Sequence, residues 1–201
     1  MLWTRERGMP LLPLHLARLE RSAAALGLAL SVDEVRRQIA TAVGRPGEDR
    51  LRLRLVLKPD GVAELAVSPE AAIPDGVIWT VAVAAIRLDP ADPLIRHKTT
   101  ARQHYDAARS AARDAGADEA LFLNGADEVC EGAITSVFVR RGNILLTPPL
   151  DCGLLPGVLR ESLLASGTAR EERLALDDLA DGFHVGNAVR GLIPARLLEP
   201  L

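Results

Sequence analysis

The chain has 201 residues, and its 24 Lys and Arg against 27 Asp and Glu give a formal net charge of −3. This balance excludes a basic nucleic-acid-binding protein and a polybasic membrane-surface protein. The 48% apolar and 25% charged residues are ordinary for one or two globular domains, and they exclude a disordered or collagen-like chain.

The apolar stretches are shorter than a membrane span, and the N-terminus carries charges where a signal peptide has its apolar segment. This pattern predicts a cytoplasmic protein with neither a membrane partner nor a nucleic-acid partner. The two cysteines and four histidines form no CxxC motif and no cluster with zinc spacing, which predicts that the chain has no metal site.

The first part of the chain combines two predicted helices with a β-meander. Apolar residues at steps of three and four predict a helix over residues 11–28. Ser31 and Glu34 form a capping box that opens a second helix, and Gly44 can end it. Alternation of Arg and Leu predicts the first strand. The predicted strands cover residues 50–57, 62–67 and 77–88.

Two prolines and two aspartates predict an extended linker over residues 89–95. The linker separates a small N-terminal domain, 1–88, from a larger C-terminal domain, 96–201. The second domain has predicted helices at 103–115 and 158–166, and predicted strands at 119–123, 128–131, 136–140, 144–147 and 183–185. Helices and a meander followed by further mixed elements predict the α+β class.

Only Lys58 and Lys98 are lysines among the 24 basic residues, so only these two side chains can supply a neutral amine nucleophile. Lys58 lies in a predicted hairpin turn, where a lysine is normally solvated. Lys98 follows the linker at the predicted domain junction, where clefts usually form. Lys98 is therefore the better candidate for a nucleophile.

Three other features could bind an ionic ligand. Glycine-containing turns at 152–160 and 186–191 can offer backbone N–H groups to a phosphate. Glu131 ends an apolar strand and is followed by Gly132, which allows close approach of another group. If Glu131 is buried, it requires a cationic partner such as a protonated ring nitrogen.

These residues lie in motifs that resemble the fold-type IV pyridoxal-phosphate enzymes, which include branched-chain and D-amino-acid aminotransferases and aminodeoxychorismate lyase. The motifs occur in the same order as in the family, and together they span almost the whole chain. It implies the two-domain α+β fold of the D-amino-acid aminotransferase type. The motifs are HLARL at 15–19, KTT at 98–100 with Arg102 and Tyr105, EGAITSVFV at 131–139, TPPL at 147–150, GLLPGVLR at 153–160 and GNAVRGL at 186–192.

The resemblance implies a role for each candidate residue toward pyridoxal 5'-phosphate. Lys98 would be the catalytic residue that binds the cofactor covalently and moves a proton at the substrate carbon. Glu131 would pair with the protonated ring nitrogen. The phosphate would be held by Arg18 and by the backbone N–H groups of Val158, Leu159, Asn187 and Ala188. The implied substrate-binding residues are Arg54, with Arg52 as its alternative, Thr135 and Tyr105.

Two departures from the family accompany the resemblance. Residues 1–10 alone precede the first predicted helix, so we expect a shortened N-terminal domain. Ala188 and Leu159 stand where relatives often have a hydroxyl, so only backbone donors remain at these positions.

The details at 98–100, 105–106 and 191–195 are most similar to the aminodeoxychorismate lyase branch. They imply a lyase that releases pyruvate and 4-aminobenzoate for folate biosynthesis, as a homodimer. The alternatives are a branched-chain or D-amino-acid aminotransferase of the same fold, and a non-catalytic homologue that binds pyridoxal phosphate.

Overall fold

The computed structural model describes residues 1–43 and 47–198. The chain divides into two compact units, Met1–Ala72 and Ile73–Leu201. The predicted helix end at Gly44 and the last three residues of the predicted C-terminal domain lie outside the described residues.

The first unit contains two helices and a three-stranded antiparallel sheet. Its elements are β1 Leu2–Thr4, α1 Leu12–Ala25, α2 Val32–Val43, β2 Arg50–Leu57 and β3 Ala63–Pro69. The strand order is β1-β2-β3. The predicted alternation in β2 is confirmed, because Leu53 is buried in the core of this unit while Arg52 and Arg54 are exposed. The backbone N–H of Glu34 donates to Ser31 Oγ at 3.3 Å, as the capping box requires.

The second unit contains eight strands and two helices, with two short 3-10 turns at Leu150–Cys152 and Leu176–Leu179. Most of its predicted elements are confirmed to within one or two residues. The elements are β4 Trp79–Leu88, α3 Gln103–Asp114, β5 Glu119–Asn124, β6 Val129–Gly132, β7 Ser136–Arg141, β8 Ile144–Thr147, α4 Val158–Ala165, β9 Ala169–Glu171, β10 Phe183–Asn187 and β11 Gly191–Leu197.

Six strands of the second unit close into a barrel. The order β10-β11-β4-β5-β6-β7 is completed by an antiparallel pairing of β7 with β10, and β8 and β9 extend the sheet beyond β7. Apolar side chains from all six strands fill the interior, among them Val81, Leu121, Val137, Val185 and Ile193. Helix α3 packs on the outer side of the sheet through alanines and the half-buried ring of Tyr105. The mixed α+β prediction is therefore confirmed.

The division of the chain differs from the predicted domain boundary. Strand β4 belongs to the second unit because it pairs in parallel with both β5 and β11, and local sequence patterns do not show such long-range pairing. Residues 89–95 form turns instead of an extended linker: Asp89 Oδ1 accepts from Ala91 N–H at 2.9 Å, and Asp92 Oδ1 accepts from Leu94 N–H at 2.8 Å. Ile95 is buried in the core of the second unit.

Three short or interrupted strands were not predicted. β1 and β9 have only three residues each, which is too short for a periodic pattern. β11 contains Pro194, which normally argues against an inner strand, yet Pro194 is paired with His184 of β10.

Candidate functional site

A bulge in β6 sets the position of Glu131. Val129 is paired with Leu123 on β5. The next pair along the ladder is Gly132 with Leu121, so two residues of β6 lie opposite one residue of β5. In a regular strand, Glu131 would face the barrel interior like Val129. The extra residue turns its side chain to the outer face instead.

The carboxyl group of Glu131 is buried, with 5% of the residue exposed. Tyr105 Oη donates a hydrogen bond to Glu131 Oε1 at 2.7 Å, and the backbone N–H of Leu155 donates to the same carboxylate. Burial raises the pKa of Glu131 to about 7, although both hydrogen bonds and the charges of Lys98 and Arg102 lower it. The site therefore favours a ligand with a positively charged N–H group at this carboxylate.

Lys98 lies between the turns at 91–97 and helix α3. Its side chain is exposed, so a ligand can reach the amine, and its charge contributes to the electrostatics of Glu131. Lys58, the other lysine, pairs with Glu64, and this hydrogen bond raises the pKa of Lys58. A lysine held protonated is a poor nucleophile, which argues against Lys58, and the role of Lys98 as the nucleophile stays a prediction.

A row of residues leads from Glu131 across the outer face of the barrel. Ser136 of β7 is paired with Glu131 on one side and with Gly186 of β10 on the other. A Cβ atom added at Gly157 would overlap Ser136 Oγ. The start of α4 thus lies directly on this row.

The two glycine turns meet at Gly186. A Cβ atom there would collide with the Gly191 carbonyl oxygen and would lie 2.9 Å from Leu159 Cδ2. The first turn of α4 and the end of β10 are therefore adjacent, although Leu159 and Gly186 are 27 positions apart in the sequence. Only glycine at this point permits the approach.

Backbone donors are concentrated where these turns meet. Gly157 precedes α4 and has no side chain to cap the helix, so the N–H groups of Val158 and Leu159 have no partner within the helix. In the other turn, Asn187 Oδ1 accepts from the N–H groups of Val189 and Arg190, at 3.0 Å each. This bonding fixes the turn that contains Asn187 and Ala188.

The loop between β6 and β7 is tied down on both sides. Arg102 Nη2 donates to the Ala133 carbonyl oxygen at 2.8 Å, and Asn187 Nδ2 donates to the Ile134 carbonyl oxygen at 3.1 Å. Arg102 precedes α3 and Asn187 ends β10, so the loop joins the helix to the far side of the barrel. This bonding holds the strand ends next to Glu131 in place.

Glu119 is a fully buried carboxylate behind this loop. It accepts hydrogen bonds from the Thr135 hydroxyl at 2.9 Å and from the Ile134 N–H at 3.2 Å, and Arg109 Nε lies 3.8 Å away. Burial raises the pKa of Glu119. The hydroxyl of Thr135 is thus used inside the protein, and the substrate contact predicted for Thr135 stays a prediction.

The three predicted arginines lie in the first unit. Arg18 is half-buried in α1, and Arg52 and Arg54 are exposed on the same face of β2. Arg52 Nε lies 3.5 Å from a carboxylate oxygen of Glu70, so its charge is partly neutralised. Arg54 is therefore the better of the two candidates for a ligand carboxylate, and all three roles stay predictions.

Residues that act through strand register or packing could not be identified from the sequence. Ser136 and Leu155 lie inside the motifs at 131–139 and 153–160, but only the strand pairing and the turn place them beside Glu131. The importance of Glu119, however, could have been inferred from its place in the sequence. It begins a strand that is buried at every position, and a buried carboxylate requires a hydrogen-bonding or charged partner inside the protein.

The described residues, 1–43 and 47–198, contain no cluster of three or more His, Cys, Asp or Glu side chains suited to a metal ion. Within the same residues, each helix is too short or too polar to cross a lipid bilayer.

The sequence model of the amino-transferase class IV family matches residues 1–198. The probable branched-chain-amino-acid aminotransferase of Thermotoga maritima is 33% identical over 204 residues, which cover 92% of this chain and 71% of that protein. The aminodeoxychorismate lyase of Bacillus subtilis is 34% identical over 128 residues, which cover 58% of this chain and 42% of that protein. A solved structure from Mesorhizobium loti, provisionally named an amino-acid aminotransferase, has a TM-score of 0.92 and 41% identity, covering 98% of this chain and 97% of that chain.

Proposed function

Because the chain belongs to the amino-transferase class IV family and is an enzyme that depends on pyridoxal 5'-phosphate, we propose that its reaction is the cleavage of 4-amino-4-deoxychorismate. The products are pyruvate and 4-aminobenzoate, the latter a precursor in folate biosynthesis. Their atoms add up to those of the substrate, so the reaction requires no second substrate.

The residues of the second unit fit the cofactor. Gly157 and Gly186 have no side chains, so the space beside a group of backbone N–H donors stays open. Backbone N–H groups at the start of a helix are well suited to bind a phosphate. The buried Glu131 has a raised pKa, which a positively charged ring nitrogen would lower. When bound, the cofactor supplies an electron sink to the reaction.

In the proposal, each side chain has one task toward the cofactor or the substrate. Lys98 would hold the cofactor, would take the proton from the ring carbon that carries the amine as the ring becomes aromatic, and would give a proton to the departing three-carbon group, which leaves as pyruvate. Glu131 keeps positive charge on the ring nitrogen. The N–H groups of Val158, Leu159, Asn187 and Ala188 bind the phosphate, with Arg18 as a further ligand. Arg54 or Arg52 binds a substrate carboxylate.

The single observation that carries the choice of reaction is the similarity of residues 98–100, 105–106 and 191–195 to the lyase branch. The 34% identity to the Bacillus subtilis aminodeoxychorismate lyase supports it. The second candidate is an amino-acid aminotransferase, which is favoured by the 41% identity to the Mesorhizobium loti structure.

One incubation distinguishes these reactions. The cofactor-loaded protein is mixed with 4-amino-4-deoxychorismate alone, and pyruvate and 4-aminobenzoate are followed by chromatography. Equal amounts of both products without an amino acceptor support the lyase. Turnover only with an amino acid and a 2-oxo acid supports the aminotransferase. A protein that binds the cofactor and converts neither substrate is the non-catalytic homologue.

We also propose that the protein is a homodimer. Several large apolar side chains in or next to β4 are exposed, among them Ile78 at 58% and Ile86 at 46%. An exposed apolar group of this kind is typical of a protein interface. A cytoplasmic location stays a prediction.

A further inference from the structure

We propose that Tyr105 is a positioning residue for Glu131, not a substrate contact. Its hydroxyl fixes the direction of the Glu131 carboxylate and helps to keep it negatively charged for the ring nitrogen of the cofactor. This inference rests on the role proposed for Glu131 above.

The aromatic ring of Tyr105 is held by neighbours of the same unit. Its centroid lies 4.9 Å from that of Phe122, in an edge-on arrangement, and 4.3 Å from that of His104. The guanidinium carbon of Arg102 lies 5.5 Å from the ring centroid. The hydroxyl is thus aimed at Glu131 Oε1, which it contacts at 2.7 Å.

The tyrosine hydroxyl has a single proton, and the structure commits this proton to Glu131. Burial and the charge of Glu131 both raise the pKa of Tyr105, so the donor keeps its proton at any working pH. A substrate could bind the hydroxyl as a donor only by breaking this contact.

The carboxylate retains acceptor capacity for the cofactor. It accepts one bond from Tyr105 and one from the backbone of Leu155, whereas an ionised carboxylate can accept about four. Both bonds favour the charged form against the effect of burial. Loss of the Tyr105 bond shifts Glu131 toward the neutral form, which cannot balance charge on the ring nitrogen.

The first test compares cofactor affinity in the full-length protein and its Tyr105→Phe and Glu131→Gln variants. We expect Tyr105→Phe to weaken the binding of pyridoxal 5'-phosphate about 10-fold at pH 7, the size of effect for a hydrogen bond to a charged group. Removal of the bond raises the pKa of Glu131 further, so the defect shrinks as the pH rises above that pKa. A purely structural defect would persist across this pH range.

Gln103→Ala is the matched control, because Gln103 is an exposed residue in the same turn of α3. If Glu131→Gln binds the cofactor as tightly as the unaltered protein, the role proposed for Glu131 is wrong. If Glu131→Gln weakens binding but Tyr105→Phe does not at any pH, the role of Glu131 stands and the inference on Tyr105 is wrong.

The second test does not depend on the folding of Tyr105→Phe. Tyr105 is the only tyrosine in the chain, so tyrosinate absorbance reports on this residue alone. In the cofactor-free full-length protein, we expect Tyr105 to ionise well above pH 10, and Glu131→Gln to move the ionisation to lower pH. An ordinary tyrosine titration that is unchanged by Glu131→Gln would overturn the proposal.

Discussion

Near neutral pH, the buried carboxyl of Glu131 lies between its two protonation states, because burial raises its pKa to about 7. The cofactor-free protein therefore has a carboxyl that is easier to protonate when folded than when unfolded, where a glutamate has a pKa of about 4.3. A small change in bonding at this residue shifts its charge within the physiological pH range.

The raised pKa of Glu131 predicts how stability depends on pH. A folded-state pKa above the unfolded value stabilises the protein at low pH, and this contribution is lost as the pH rises from about 4.3 to about 7. The loss amounts to at most about 4 kcal/mol. Denaturant unfolding of the cofactor-free protein should show it between pH 5 and pH 8, and Glu131→Gln should abolish this part of the pH dependence. Equal pH dependence in both proteins would contradict the prediction.

Lys98 and Lys58 permit a matched test, since they are the only two lysines. Treatment of the cofactor-loaded protein with borohydride should attach the cofactor irreversibly to Lys98. Mass spectrometry should detect the added mass in Lys58→Ala but not in Lys98→Ala. The turnover rate of Lys98→Ala should fall about 1,000-fold, because the group that moves the proton is missing. Label on Lys58, or normal turnover by Lys98→Ala, would contradict the assignment.

At the scale of elements, the helices and most strands could be predicted, because their side chains repeat with periods set by backbone geometry. Gln103–Asp114 and Ile144–Thr147 are examples. The bulge in β6 could not be predicted in the same way. A bulge depends on pairing with another strand, and the sequence of 129–132 reads equally well as a regular strand.

Because α4 and β10 approach closely at Gly186, we expect a substitution there to have a larger effect than one at Gly125, where the surrounding space is open. Gly186→Ala would bring a methyl group against Gly191 and Leu159, which should destabilise the protein by about 1–3 kcal/mol and weaken cofactor binding. Gly125→Ala should change stability by less than about 0.5 kcal/mol, since the space around a Cβ atom at Gly125 is open. Thermal unfolding with and without the cofactor measures both effects. Equal stability of the two variants would contradict the close approach.

At the scale of the whole molecule, the family and its cofactor could be predicted from short motifs, because the chemistry of each motif fixes its residue types. The division into units could not. Strand β4 follows the first-unit hairpin in sequence, yet it pairs with β5 and β11, and pairing between distant segments leaves no local pattern. For the same reason, the pairing of Ser136 with Glu131 and Gly186 can be seen only in the folded structure.

The proposed homodimer predicts that a charge on β4 separates the subunits. Ile86→Glu should raise the dissociation constant at least about 100-fold, because burial of an unpaired charge is unfavourable. Val62→Glu is the control, since Val62 is an exposed apolar residue outside β4. Sedimentation velocity over a range of concentrations gives the subunit state. A dimer that persists in Ile86→Glu would place the interface elsewhere.

The barrel is closed by the pairing of β7 with β10, and this pairing can form only late in the synthesis of the chain. Strand β10 is the penultimate strand to leave the ribosome, and it supplies Gly186 and Asn187 while it seals the open edge of β7. A nascent chain that stops before residue 183 lacks both β10 and β11, so the edges of β7 and β4 that these strands cover are unpaired, and one of the two glycine turns is missing. Binding of the coenzyme through both glycine turns would then require that β10 has already paired with β7.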